Sequence, residues 1–251
     1  MSRRPVGGST RERDVNERAA EAMPDATERG NRATGMLWVL APCWYVLCEA
    51  VAALAFPGYD YGRFYISDLG VASVGPFGDR MLDSRLPQVM NAGFVGEGLL
   101  FVIGLVLVAP LVRRGPAGIA FLVLGIVHAI GITFVGLVPG SPENAANGLM
   151  TIHVLGAFMA IGGGNLAAIT SFRALRGALE RRVRVAGVVL GVLGLVCAAL
   201  LTGHVLFPDG VWERGSVYTF MLWQFVVGVA LLRARPNPVS SDEAVGWRGL
   251  V

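Results

Sequence analysis

No lysine occurs in this chain: all 21 basic residues are arginine, so the placement of those arginines carries the charge information. Charge itself is scarce, at 16% of residues against roughly 25% in soluble domains, which excludes an ordinary water-soluble fold. Cysteine is both rare and odd in number. Cys43, Cys48 and Cys197 all lie in apolar runs, which leaves no disulfide framework and makes them small packing residues. Histidine is equally rare, with His128, His153 and His204 each alone on a different run. No H-x-x-x-H or H-E-x-x-H pair therefore sets two metal ligands on one helix face. A G-x-x-x-x-G-K-[ST] loop and a strand-linked G-x-G-x-x-G are also missing, which removes the phosphate cradles of nucleotide-binding folds.

What the chain has in excess is apolar residues, 54% of the total. A spanning helix needs about 20 of them in succession. Six segments qualify, at 36–56, 88–112, 117–138, 148–172, 185–206 and 215–232. The expected fold is all-α: a polytopic membrane protein whose six transmembrane helices form one domain over 36–232. The flanking segments 1–35 and 233–251, rich in Arg, Gly, Pro and acidic or small residues without apolar periodicity, are expected to be disordered tails. Met36 would serve as an alternative start. Ala53-Leu54-Ala55 looks like a signal-peptide cleavage site, but Glu49 within the run and five following spans favour a signal anchor.

The arginines fall on one side of this arrangement. Seven precede the first span, Arg113 and Arg114 follow the second, Arg173, Arg176, Arg181, Arg182 and Arg184 follow the fourth, and Arg233, Arg235 and Arg248 follow the last. The opposite loops hold Arg63, Arg80, Arg85 and Arg214 among Asp60, Asp68, Asp79, Asp83, Glu143, Asp209 and Glu213. The positive-inside rule then expects both termini in the cytoplasm, with the protein in the cell membrane. A pI near 9.0 reads as arginine flanks facing anionic headgroups. Membrane lipids are the expected partners, and no nucleic acid is needed.

Ionisable residues inside spans are costly and collect at ligand, ion or proton sites. At about 1.5 Å per residue, Glu49, Glu97, His153 and His204 fall in the outer half and His128 near the middle. Ser141-Pro142-Glu143 reads as the start of the helix that carries His153. Along it His153 shares a face with Gly156, Ala157, Ala160 and Gly164; Glu97 aligns likewise with Gly93 and Gly104, and His128 lies between Gly125 and Gly131. Small neighbours let helices approach and turn these groups inward. Gly187-x-x-x-Gly191 is a further packing face, Gly162-Gly163-Gly164 marks close packing or a soft point, and Gln224 is the polar residue of the last span. The outer loop 57–87 is too long for a simple connector.

These observations lead us to expect an outward-facing polar pocket, capped by that loop and lined by Asp68, Asn91, Glu97, His153 and Arg214, that binds a lipid or small molecule. Two other activities use the same residues. His128, His153 and His204 with carboxylates could bind zinc and hydrolyse lipid amides or esters, and Glu97 or His153 could carry a proton in solute transport. Ser67, Asp68 and His153 supply the residue types of a hydrolytic triad without a spacing that selects them. Opposed to all of these is a packing network, with Glu97 or Glu49 bonded to a histidine or paired with Arg214.

An ordered set of short motifs resembles the DUF998 family of uncharacterised multi-pass prokaryotic membrane proteins. The set comprises Tyr65-Ile66-Ser67-Asp68-Leu69-Gly70, Met90-Asn91-x-x-Phe94, Gly136-Leu137-Val138-Pro139, Ile152-His153-x-x-Gly156 and Glu213-Arg214. The resemblance covers about 36–232 and implies a six-helix membrane fold with no known activity. The Ile66-Ser67-Asp68 element and the six-span layout are also faintly similar to the Frag1/DRAM/Sfk1 group, linked to lipid remodelling and trafficking.

Overall fold

A computed structural model describes residues 26–234. The six spans are helices: α1 (Ala26–Leu54), α2 (Pro87–Val108, extended by a 3-10 turn Ala109–Leu111), α3 (Pro116–Leu137), α5 (Met150–Ala174), α6 (Arg181–Gly203) and α7 (Asp209–Arg233). All six are long and apolar enough to cross a membrane. A short helix α4 (Pro142–Ala146) and a hairpin of β1 (Gly75–Phe77) and β2 (Arg80–Leu82) complete the described elements. The protein is a six-helix polytopic membrane bundle.

Two sequence expectations are corrected in detail. Helix α1 begins at Ala26, so residues 26–35, assigned above to a disordered tail, are helical. The reason is packing: Thr34 Oγ1 donates to Gly104 O at 3.3 Å, and Gly35 crosses Gly228 so closely that a Cβ on either would meet the other's carbonyl oxygen at 2.9 Å. The remaining tail expectations, for 1–25 and 235–251, lie outside the described residues. Second, Ser141 does cap a helix, its Oγ accepting from Asn144 N at 3.2 Å, but that helix is α4 and ends before His153. Gly148, at φ 84, breaks the chain there and a new helix starts at Met150.

Each spanning helix packs against the next in sequence, and α7 closes on α1. Helix α5 also touches α7 directly, so α6 stands outside a ring made by the other five. Its apolar stretch is only 22% buried, against 39–50% for the others, so most of its surface is left to lipid.

Large rings meeting small residues fill the interior. Trp38 stacks on Phe101 with centroids 5.3 Å apart and donates its Nε1 to Phe101 O at 3.1 Å. Trp223, Phe220 and Phe121 extend this aromatic core, while Cys48 sits against Gly93 and Cys197 against Gly215. Helices α3 and α5 approach closely at Gly131 and Gly156, where each helix meets the other's backbone.

The three successive glycines of α5 differ in role. A Cβ at Gly163 would meet His128 N and Leu124 O, both at 2.9 Å, and one at Gly164 would meet His128 Nδ1 at 2.7 Å, whereas Gly162 has open space. Overpacking costs about 1–3 kcal/mol, so Gly163→Ala is expected to lower the melting temperature in detergent. Gly162→Ala, which removes a flexible residue from a helix, leaves it unchanged or raises it. Equal melting of the two variants would contradict this packing.

Candidate functional site

The polar residues gather at the end of the bundle that bears the 57–86 connection. Arg214, on the second turn of α7, is the most connected of them. Its Nε and Nη2 lie 3.2 and 3.1 Å from Glu49 Oε1, its Nη1 donates to the carbonyls of Tyr61, Phe64 and Gly210, and its Nη2 donates to the Tyr59 hydroxyl. Tyr218 donates its hydroxyl to Glu49 Oε2 at 2.8 Å. The guanidinium also lies 4.8 Å from the Tyr61 ring centre. A charge pair with side chains 9% and 2% exposed is thus fully hydrogen-bonded, the condition under which burial is tolerated. Two of the carbonyls belong to the loop, so the same guanidinium ties the loop to the bundle. Burial raises the pKa of the Tyr59 phenol, so it stays protonated as a hydrogen-bonding partner.

The next loop segment forms a plug. Asp68 sits in a 3-10 turn, Ser67–Gly70, and its Oδ2 accepts from Tyr65 N at 2.9 Å. Arg80, carried over it by the hairpin, places Nε 2.8 Å from that oxygen as an ion pair, although its N–H is not aligned on it. Burial raises the Asp68 pKa, opposed by Arg80 and by the Tyr65 N–H. Asn91 on α2 donates to Gly70 O at 3.0 Å, Ser84 donates to Leu69 O at 2.6 Å, and Glu213 Oε2 accepts from Ile66 N at 2.5 Å. A Cβ at Gly70 would collide with Asn91 Oδ1, so a larger residue there would push the Asn91 amide off Gly70 O.

Deeper in the ring, buried Glu97 and His128 meet, with Oε2 and Nε2 3.1 Å apart. His128 Nδ1 lies 2.7 Å from Ala160 O and must be its donor, because a carbonyl only accepts. One proton is therefore left to share between Nε2 and the carboxyl. Glu97 Oε1 is buried without a partner. Phe101 and Phe220 pack on the imidazole, with ring centres at 5.1 and 4.0 Å.

Between plug and pair lies a cavity of about 50 Å³, whose polar lining is Tyr45, Ser67, His128, His153, Glu213 and Ser216 within walls that include Phe94, Ile132, Ala157 and Phe220. His153 donates Nδ1–H to Val138 O at 2.8 Å, which leaves Nε2 as an acceptor.

Of the five residues expected to line a pocket, His153 does so directly. Asp68 and Asn91 hold the plug, Glu97 stands behind His128, and Arg214 anchors the loop beside Glu213. Of the three histidines considered for zinc, His128 and His153 share the cavity, while exposed His204 ends α6 and bonds Asp209 at 2.8 Å. Among the described residues, no three of His, Cys, Asp and Glu converge as a metal-holding group. Ser67 and His153 also share the cavity lining, and Asp68 faces Arg80 instead.

Glu213, Tyr45 and Ser216 were missed as cavity residues. A signal existed: Glu213, Ser216, Val217 and Phe220 fall at i, i+3, i+4 and i+7, one face of α7, and all four line the void.

Replacing Arg214 leaves Glu49 buried without its cation and two loop carbonyls without a donor. Arg214→Met is expected to cost about 3–5 kcal/mol of stability in detergent. Glu49→Gln, which keeps an acceptor for the guanidinium, should cost less. Thermal unfolding of the two variants measures this, and an Arg214→Met protein that melts like the unsubstituted one would remove the anchor role.

The sequence matches the family model described as Protein of unknown function (DUF998) over residues 39–230, and no curated protein or solved structure matches it. With well over half its length matched in this way, the chain belongs to the DUF998 family.

Proposed function

We propose that the protein binds a small polar molecule, or the polar head of a lipid, in the cavity beneath the 57–86 loop. The observation that carries this reading is the lining itself: a carboxyl group, two imidazoles, a phenol and two serine hydroxyls face one void inside an otherwise apolar ring. Ser216 donates its hydroxyl to Glu213 O and His128 bonds both Glu97 and Ala160 O, so Tyr45, Ser67, Glu213 and His153 are the groups left to meet a ligand. Such a mixed lining favours a ligand that both donates and accepts hydrogen bonds, such as a hydroxyl group. The void of about 50 Å³ has room for a few waters, at roughly 10–15 Å³ each. A larger ligand therefore requires the plug to lift. Entry is from the loop side, and the arginine distribution supports reading that side as the outer face of the membrane.

Native mass spectrometry of the protein extracted gently from membranes tests this reading. A bound small molecule or lipid is expected, and Ala157→Phe, which fills the void, is expected to lose it while the protein stays folded. The same adduct on folded Ala157→Phe protein would defeat the proposal.

A second reading is favoured by the Glu97–His128 pair. A shared proton midway along the spans, reached from the loop side through the cavity, suits proton-coupled transport. Glu97→Gln would then abolish proton-driven flux in proteoliposomes, and flux unaffected by the substitution would exclude Glu97 as the coupling group.

A further inference from the structure

At the opposite end of the bundle, the ends of α2, α3, α5 and α6 flank a second, larger and open cavity of about 580 Å³. Six arginines line it: Arg113, Arg114, Arg173, Arg176, Arg181 and Arg184. Among the described residues, no acid lines it and none of the six is in an ion pair. Glu180, in the adjoining turn, bonds instead to Arg182.

The backbone holds these like charges together. Arg113 N donates to Ala174 O at 2.8 Å, pinning the turn between α2 and α3 to the end of α5. Arg184 Nη1 donates to Phe172 O at 2.8 Å and its guanidinium lies 4.9 Å from the Phe172 ring centre, while its Nε is buried without a partner. The first turn of α3 also lines the cavity and has no side-chain cap, so the positive end of a 22-residue helix adds to the field. Five of the six arginines are exposed and Arg184 is half-buried, so their like charges face one solvent-open recess that an anion would neutralise.

We propose that this cavity binds the phosphate-bearing headgroup of an anionic phospholipid. Guanidinium groups match phosphate oxygens in pairs, and six of them suit a headgroup with more than one negative charge. The lipid source, as opposed to free phosphate, is argued from α5. Leu166 and Gly162 continue the stripe of Arg173 toward the membrane interior at helical spacing; Leu166 is exposed and Gly162 has open space where a Cβ would stand. A shallow apolar track for an acyl chain thus leads from the arginines. The arginine side is also the one expected to face the anionic cytoplasmic leaflet.

The test uses the full chain in neutral detergent, titrated separately with cardiolipin, phosphatidylglycerol, phosphatidylcholine and inorganic phosphate, with binding read by native mass spectrometry and thermal stabilisation. Cardiolipin and phosphatidylglycerol should bind at least tenfold more tightly than phosphatidylcholine, with affinity that falls as salt rises. Arg113→Gln combined with Arg176→Gln should weaken anionic-lipid binding by roughly fivefold per arginine. Arg63→Gln, at the other end of the bundle, should leave it unchanged. Both cavity positions are exposed, so folding is checked by size-exclusion elution, and the salt dependence of the unsubstituted protein tests the site without any variant. Equal binding of anionic and zwitterionic lipids, salt-insensitive binding, or a folded double variant that binds normally would overturn the proposal. Stabilisation by millimolar inorganic phosphate equal to that by lipid would overturn the lipid assignment in favour of a free anion.

Discussion

A guanidinium buried inside a membrane bundle is stable only if nearly every N–H finds an oxygen, and Arg214 meets that condition by drawing the loop down onto the helices. Glu49 supplies the charge from α1, Tyr59 a hydroxyl, and Tyr61 and Phe64 backbone carbonyls from the loop. The first and last spans and the long connection are thereby fixed to one group. Glu213, the adjacent residue, receives the Ile66 N–H and holds the start of the plug. The cavity exists because that plug is held over a ring whose interior is otherwise packed with aromatics and glycine.

The bundle has two polar ends of opposite character. At the loop end Arg214 and Arg80 are paired with Glu49 and Asp68, and the space beneath them is small and lined by both donors and acceptors. At the arginine end, charges of one sign line a larger space. Between them the Trp38, Phe101 and Trp223 core admits few polar atoms, and those of Gln224 and the Trp223 indole nitrogen are buried there without partners. A satisfied network rigidifies, as at Arg214, whereas an unsatisfied one leaves room for another group, as at the cavity beside His128 or among the arginines.

Much of the architecture was legible because hydrophobic run length decides membrane spans. The six spans were located to within a few residues at most ends, and the small-residue faces beside His153 and Glu97 do point inward. Less legible was how polar residues divide between lining a void and holding it open. Asp68 and Arg214 have the composition of binding residues, yet Asp68 is taken up by Arg80, which only the hairpin brings over it, and Arg214 by Glu49, a pairing that the packing-network alternative had named. Glu213 was read only as a loop charge, although its spacing to Ser216 and Phe220 marks the inner face of α7. The early start of α1 was hidden because Thr34 and Gly35 are poor hydrophobes, and their helix is held by contacts with Gly104 and Gly228.

Hydrogen–deuterium exchange across residues 57–86, in nanodiscs, tests most directly whether Arg214 holds the loop over the cavity. In Arg214→Met protein the amides of this segment should exchange much faster than in the unsubstituted protein, while those of α2, α3 and α5 stay protected. Undiminished protection of the segment in the variant would show that the loop is held by something else, and would contradict the account of the site built on that anchor.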